Sequence, residues 1–402
     1  MIAETAAQLK QAGYCTPRSG RDPVNLPMIN NWLEAMGDNN RRYAAEGVAP
    51  PAMAQVWTMR GLHPVATPDD PLFAMTAVLD EAGFTAVVAT NCEQTYHREL
   101  RLGEEVAVRS RLSEVVGPKK TALGEGYFVT TESTWFVGDE PVSSMLFRVL
   151  KYKPAASTPS PVAGDPIRPA VNRDTAYFWD GITAGELRIQ QCSSCGSLRH
   201  PPGPMCPSCG ATKPSFVVAS GDGVVYSYVV HHHPPVPGRR LPYVVALVEL
   251  PEGVRVVGEL IGAEPRVGMR VAFDVAAGLP IWRPKSDLPP LSIEITPTFV
   301  VSSALATRDF QDVHHDRDLA IAKGSKDIFV NILTTTGLVQ RFVTDWKPQA
   351  RVTSIAIKLG VPCYAYDMLT FSGRVTSPTT IEVVGRNSLG AHVTGSVEVA
   401  DA

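Results

Sequence analysis

The 402-residue chain has no excess of basic residues: 37 Lys and Arg stand against 40 Asp and Glu, a formal net charge of -3. Non-specific binding to a polyanion needs the opposite balance, so the composition speaks against a nucleic-acid partner. No long apolar run opens the sequence, since Glu4 and Lys10 interrupt Met1 to Cys15. That argues against a signal peptide or an anchor and makes the cytoplasm the expected location. A disulfide framework is missing too. Of seven cysteines, Cys15, Cys92 and Cys363 are isolated, while four fall within eighteen residues. An odd count with one tight cluster reads as a metal site in a reducing compartment. What is present, 44% hydrophobic and 19% charged residues over this length, is the composition of a globular protein of two or three domains.

Two seams divide the chain. Lys153 to Pro169 carries Pro154, Pro159, Pro161, Pro166 and Pro169 among small residues and reads as a semi-extended linker. Pro284 to Pro290 repeats the signal with Pro284, Pro289 and Pro290. The expected parts are residues 1–152, the linker 153–169, residues 170–284 and residues 285–402.

The first and last parts share one order of elements, as a diverged duplication would. Pro50 and Pro51 open a short apolar helix ahead of the strand-like runs Glu105 to Val115, Ala122 to Val137 and Pro141 to Tyr152. In the last part, apolar residues from Ile328 to Trp346 cover nearly the whole circumference of a helix, which predicts burial on most sides. Strand-like runs follow at Val352 to Leu359, Asp367 to Thr376, Thr380 to Asn387 and His392 to Ala400. The implied class is α+β, a buried helix wrapped by a long antiparallel sheet, twice over. Between the two, short strands near Val224 to Val230, Tyr243 to Glu249, Val254 to Ile261 and Met269 to Val275 predict a small closed β-barrel.

Cys192, Cys195, Cys206 and Cys209 form two CxxC pairs, the spacing with which two tight knuckles close a tetrahedral thiolate cage around zinc. Gly196 and Gly210 follow each pair and permit the positive backbone angles such knuckles use. Four thiolates leave no open position for water, so the expected zinc is structural. His231, His232 and His233 alternate faces of a strand and stop at Pro234 and Pro235, which reads as a surface loop rather than a metal cluster.

Asp309 and His314, five residues apart, precede the buried helix. The order Asp309, Gln311, Val313, His314, Gly324 and then a long apolar helix resembles the hydratase motif of the MaoC-like, hot-dog-fold enoyl-CoA hydratases. The resemblance implies that Asp309 and His314 activate water beside the double bond of an acyl-CoA. It also makes the helix start at Asn331 and Ile332 the candidate oxyanion site. Gln311 and Asp312 replace the usual Asn-Pro, and Asn331-Ile332 replaces a frequent His-Gly. In the first part Asp38 occupies the aspartate position, but Tyr43 stands five residues on, so this half resembles degenerate hot-dog partners. Gln94, Tyr96, Arg98 and Arg101 also resemble that class, beside the plainer reading of a polar edge strand.

The middle part resembles the zinc-ribbon and OB-fold family found beside thiolase-like enzymes. The whole order resembles the hydratases of bacterial steroid side-chain degradation, there often split between two chains. The resemblance implies a bulky enoyl-CoA substrate, a docked aldolase of thiolase fold and a homodimer of the chain. Two other classes stay open on the residues alone. One is a non-catalytic acyl-CoA-binding scaffold. The other is a single-strand nucleic-acid binder, against which Glu186 to Ser220 offers only Arg188, Arg199 and Lys213.

Overall fold

Asn331 starts the helix around which the larger unit is built. Its backbone is extended and its side-chain oxygen accepts from the Thr334 amide at 2.7 Å, an N-cap on the helix Ile332–Trp346. The apolar pattern predicts helix from Ile328, and the later start has a local cause. Phe329 bridges Tyr364 and the Val330 amide donates to the Cys363 carbonyl, so these residues belong to a short extended pairing before the helix can begin. Eleven of the fifteen helical residues are buried. Gly337 lies where a Cβ would stand 2.7 Å from the Trp32 ring and 3.0 Å from the Met36 sulfur, which allows the helix Leu26–Met36 to pack closely on it.

The computed structural model describes residues 1–64, 67, 69–121, 123–154, 169–239, 241–262 and 265–400. The expected linker at 153–169 begins inside a strand, Glu140–Pro154, and its remainder up to residue 168 lies outside the described residues. Contacts divide the chain into two units, Met1–Thr158 with Ser286–Ala402, and Pro159–Lys285.

In the larger unit ten strands form one sheet. Their order is Arg18–Ser19, Val106–Thr121, Gly124–Val137, Glu140–Pro154, Ala86–Tyr96, Arg351–Leu359, Gly390–Ala400, Thr380–Asn387, Asp367–Val375 and Leu291–Ile295. Each half supplies five. The seam is the antiparallel pair Ala86–Tyr96 and Arg351–Leu359, in register from Ser354 opposite Thr95 to Lys358 opposite Asn91. Gln94 and Tyr96 therefore sit in an interior strand, not at an edge; the Tyr96 hydroxyl donates to the Gln94 side chain at 2.7 Å, and both are buried. Arg98 pairs with Glu104 and Glu140 at the surface. One core spans the halves, joining Trp32, Met36, Tyr43 and Met53 to Leu338, Phe342 and Ile355.

The halves differ where the duplication has diverged. The Pro50-Pro51 segment makes two single 3-10 turns, Pro51–Met53 and Val56–Thr58, in place of one helix. A further helix, Pro71–Glu81, is started by Asp70, whose side chain accepts from the Leu72 and Phe73 amides. Asp-Pro is an ordinary helix-start signal. The helix packs over the sheet with Met75, Leu79, Phe84, Leu112 and Val129 in a satellite core.

The smaller unit holds a closed five-stranded barrel of Asp222–His231, Tyr243–Glu249, Arg255–Leu260, Leu279–Pro284 and Arg270–Ala276. The strand Leu279–Pro284 is absent from the sequence reading; it closes the barrel by pairing parallel to Arg255–Leu260. Three short strands, Arg188–Cys192, Leu198–Arg199 and Pro214–Val218, carry the cysteine ribbon. Among the described residues no helix is long and apolar enough to cross a membrane.

Candidate active site

Two backbone turns place the aspartates. The helix Pro297–Thr307 ends on Arg308 in the left-handed conformation, φ 57°, and the Asp309 amide donates back to Ala304 at 3.0 Å. The helix Leu26–Met36 ends on Gly37 at φ 63°, and the Asp38 amide donates back to Leu33 at 2.8 Å. Both bonds span five residues and close the same kind of helix-terminating turn. Asp38 and Asp309 are thus equivalent by backbone geometry and not only by spacing.

Beyond that point the halves part. His314 ends the single turn Asp312–His314, and its Nδ1 lies 2.8 Å from the Phe329 carbonyl. A carbonyl only accepts, so Nδ1 carries the proton and Nε2 presents a lone pair in the neutral ring. That Nε2 faces Asp309 Oδ2 at 3.7 Å, too long for a direct hydrogen bond. The Gln311 amide donates to Asp309 Oδ1 at 3.3 Å, so the glutamine at the motif's amide position holds the carboxylate. Asp309 and His314 are 5% and 6% exposed. Burial holds the His314 imidazole below its ordinary value, outweighing the opposing pull of Asp309 and of the Phe329 carbonyl; nearby His315 adds to the depression.

In the first half Tyr43 takes the histidine's place and is buried against the central helix, accepting from Gln340 Nε2 at 3.0 Å. Burial pushes its phenol well above the ordinary value. Asp38 Oδ1 accepts from the Asn40 amide, Oδ2 is buried without a partner, and burial raises the carboxyl. Tyr43 joins the core that spans the halves, and Asp38 bonds within its own turn.

Asp309, Gln311 and His314 line a cavity of about 580 Å³ with Asn331, Ile332 and Leu333 at the start of the central helix. The Asn331 side chain is spent on the Thr334 amide and on Thr307, to which it donates at 2.9 Å. The first amides of a helix have no partner within it, which leaves the backbone N–H groups of Ile332 and Leu333 as donors at the positive end of the helix dipole. Beside Val313, Phe329, Val330 and Leu359 of the last half, apolar wall comes from Leu72, Phe73, Val87, Val88, Phe147 and Val149 of the first. The sequence reading missed this contribution, although Asp70-Pro71 signals the helix that supplies part of it.

A second cavity, about 720 Å³, is lined by Arg18, Arg21, Arg60 and Arg308. A smaller one between them shares Arg18, Arg60 and Arg308 with it, and Met59, Arg60, Asp309 and Gln311 with the apolar pocket. Burial and neighbouring Arg60 lower Arg18, burial and Arg21 lower Arg308, and the Arg308 Nε is buried without a partner. Arg60 pairs with Asp70 and Arg21 with Asp22, and four guanidiniums around one cavity favour an anion.

In the smaller unit the four ribbon sulfurs lie within 4.8 Å of one another, with Cys192 to Cys209 at 3.6 Å and Cys195 to Cys206 at 3.7 Å. A tetrahedron with zinc–sulfur bonds of about 2.3 Å has edges of roughly 3.8 Å, so the cage fits zinc. The knuckles match: Gly196 and Gly210 both have φ 72°, and the Cys192 and Cys206 amides donate to Ser197 and Ala211. The metal is structural, since four thiolates close its shell. His231 instead meets the Pro234 carbonyl, and no further group of potential metal ligands occurs among the described residues.

The fold and the site at the start of its central helix define the class, the MaoC-like hot-dog hydratases. Residues 10–145 match the family described as "FAS1-like, dehydratase domain region". Residues 179–215 match "ChsH2, rubredoxin-like zinc ribbon domain" and residues 216–275 match "ChsH2, C-terminal OB-fold domain". A solved MaoC-like dehydratase from Phytophthora capsici shares the fold at 10% identity, with a TM-score of 0.53 over 98% of this chain and 99% of that one. The alpha subunit of 3-oxo-4,17-pregnadiene-20-carboxyl-CoA hydratase from Mycobacterium tuberculosis is 52% identical over 73% of this chain and 96% of its own length. The beta subunit of the same enzyme is 65% identical over 28% of this chain and 92% of its own length. A solved chain described as "Ltp2-ChsH2(DUF35) aldolase" is 50% identical over 29% of this chain and 98% of its own, with a TM-score of 0.28. The chain belongs to the family of these hydratase subunits, with counterparts of both in one polypeptide, and it is an enoyl-CoA hydratase.

Proposed function

We propose that the chain adds water across the α,β double bond of a polycyclic, steroid-like enoyl-CoA in the cytoplasm, with Asp309 and His314 as its acid–base pair. The observation that carries the assignment is the facing of Asp309 Oδ2 and His314 Nε2 across 3.7 Å, both buried, with the imidazole proton fixed on the opposite nitrogen. A substrate water between two such acceptors donates one hydrogen to each. Its oxygen attacks the β-carbon, one proton passes to the pair, and the pair returns a proton to the α-carbon. Charge developing on the thioester oxygen is met by the Ile332 and Leu333 amides at the helix start. The arginine cavity holds the phosphates of coenzyme A, and the apolar pocket takes the acyl group.

The acyl assignment follows the substrate for which the relatives are named, 3-oxo-4,17-pregnadiene-20-carboxyl-CoA. A series of enoyl-CoA thioesters from short linear chains to four-ring acids tests it. The expected result is the highest kcat/KM for the ring systems; preference for short linear chains overturns the substrate class.

For the smaller unit, whose metal site is closed, the proposed role is to dock a thiolase-fold aldolase. Hydration yields a β-hydroxyacyl thioester, the kind of compound a retro-aldol enzyme cleaves, so docking spares the product release to solvent. The barrel strand Asp222–His231 leaves Val224, Tyr226, Tyr228, Val229 and Val230 exposed, with Arg255 stacked on Tyr226. Exposed Tyr and Arg on an apolar strand are the side chains that anchor interfaces, here expected to bury about 1,200 Å² or more. Size-exclusion runs with a candidate aldolase should show a complex with the full chain and none after deletion of Ile167 to Arg283. A complex that survives the deletion sinks the docking role.

A further inference from the structure

Besides Arg60, which the apolar pocket shares with the arginine cavity, it is lined by one cationic side chain that the hydration chemistry does not use. Lys151 lines it on the strand Glu140–Pro154, on the same face as Phe147 and Val149. Its side chain is 5% exposed, and its ammonium donates to Asp80 Oδ1 at 2.5 Å and to the Thr85 carbonyl at 3.3 Å. An ammonium has three protons, so these two acceptors leave one donor for a group in the pocket.

The position of Lys151 follows from the helix Pro71–Glu81, which runs along the cavity. At its start Asp70 pairs with Arg60, the residue shared with the small cavity that also contains Asp309. Leu72, Phe73 and Thr76 line the pocket along the way. Asp80, ten residues past Asp70, holds Lys151 at the other end, about 15 Å away at the rise of an α-helix. Lys151 therefore stands at the end of the pocket remote from the reacting double bond, with aliphatic and aromatic walls between.

We infer that Lys151 hydrogen-bonds a neutral oxo group at the end of the acyl skeleton opposite the thioester, and so selects for oxidised ring systems; this rests on the steroid-like reading above. Neutrality follows from Asp80. The Lys151–Asp80 pair has no net charge, so an uncharged acceptor completes the ammonium's bonds, whereas a carboxylate would lie against Asp80. A flexible chain would not hold an oxygen at that point, but a rigid fused-ring skeleton would. Burying such a carbonyl is favourable only if a donor meets it.

The test compares two steroid enoyl-CoA thioesters that differ only in the terminal ring, one bearing the oxo group and one lacking it. The natural chain is expected to favour the oxo compound roughly 10- to 100-fold in kcat/KM, the scale of one hydrogen bond to a charged donor. Lys151→Met should bring that ratio close to one, and Lys151→Arg should retain part of it. A purely structural lysine would lower both substrates together and leave the ratio alone, which overturns the inference. Equal use of the two thioesters by the natural chain also overturns it, with no need for any variant to fold. Failure of both ring substrates beside brisk turnover of linear enoyl-CoA thioesters would instead remove the steroid-like reading itself.

Discussion

His314→Ala should lower the hydration rate at least about a hundredfold, and Asp309→Asn should do the same, the scale expected when positioned acid–base help is lost. Alanine removes the Nε2 that faces Asp309 Oδ2 at 3.7 Å. Asparagine puts an amide at the position where Gln311 already donates to one oxygen and His314 faces the other. Tyr43→Phe is the control from the degenerate half. It should leave hydration within a few-fold and cost about 1–3 kcal/mol in stability, because the Gln340 amide loses its acceptor in a buried setting. Steady-state kinetics with denaturation curves separate the two effects. Equal losses of activity from all three changes would contradict one active and one degenerate half.

The acid limb of the rate profile carries the same signature. His314 must be neutral to accept a proton, and burial depresses its value below that of an ordinary histidine. Activity should therefore persist below pH 6.5 and fall only as the depressed value is approached. Stability follows the same linkage. The unfolded chain takes up the proton at about pH 6.5 while the folded chain does not, so lowering the pH through that region favours unfolding.

Four strands of the last part could be read to within about two residues, because Thr380–Asn387 and its neighbours alternate in hydrophobicity and stop at turn residues, while Leu291–Ile295 was missed. Asp309 and His314 were legible as candidates for another reason: they lie within six residues of chain, in an order that resembles the hydratase motif. The walls of the acyl pocket were not. Phe147, Val149 and Lys151 face it only because their half of the sheet joins the other through the pair Ala86–Tyr96 and Arg351–Leu359, a register no local pattern encodes. The arginine cavity was hidden likewise, since Arg18, Arg60 and Arg308 come from three distant segments. Helix onset at Ile332 rather than Ile328 depended on a bridge to Tyr364, again a long-range pairing that overrides an apolar run.

Removing the metal should open the ribbon without changing the hydration chemistry directly. About one zinc per chain is expected by elemental analysis, held by Cys192, Cys195, Cys206 and Cys209. Between its two ends the segment is held mainly by Ile189 and Leu198 against the shared core, and the strands Arg188–Cys192, Leu198–Arg199 and Pro214–Val218 are only five, two and five residues long. Sheets this short need another source of stability, and structural zinc supplies on the order of 10 kcal/mol in comparable small folds. Cys206→Ser removes one ligand and with it the closed shell. Limited proteolysis should then cut between residues 192 and 215 in the variant and in the chelator-treated chain, and spare the zinc-loaded protein. Most of the core that the barrel shares with the ribbon strand Arg188–Cys192 comes from the barrel itself, Val225, Val248, Val256, Val271 and Trp282 among them, so the barrel should survive the treatment. Asp309 and His314 belong to the other unit, and hydration by the treated chain should stay near that of the zinc-loaded protein. A metal-free preparation with a protease-resistant ribbon would refute the structural role of zinc, because the four thiols would then be holding the fold without it.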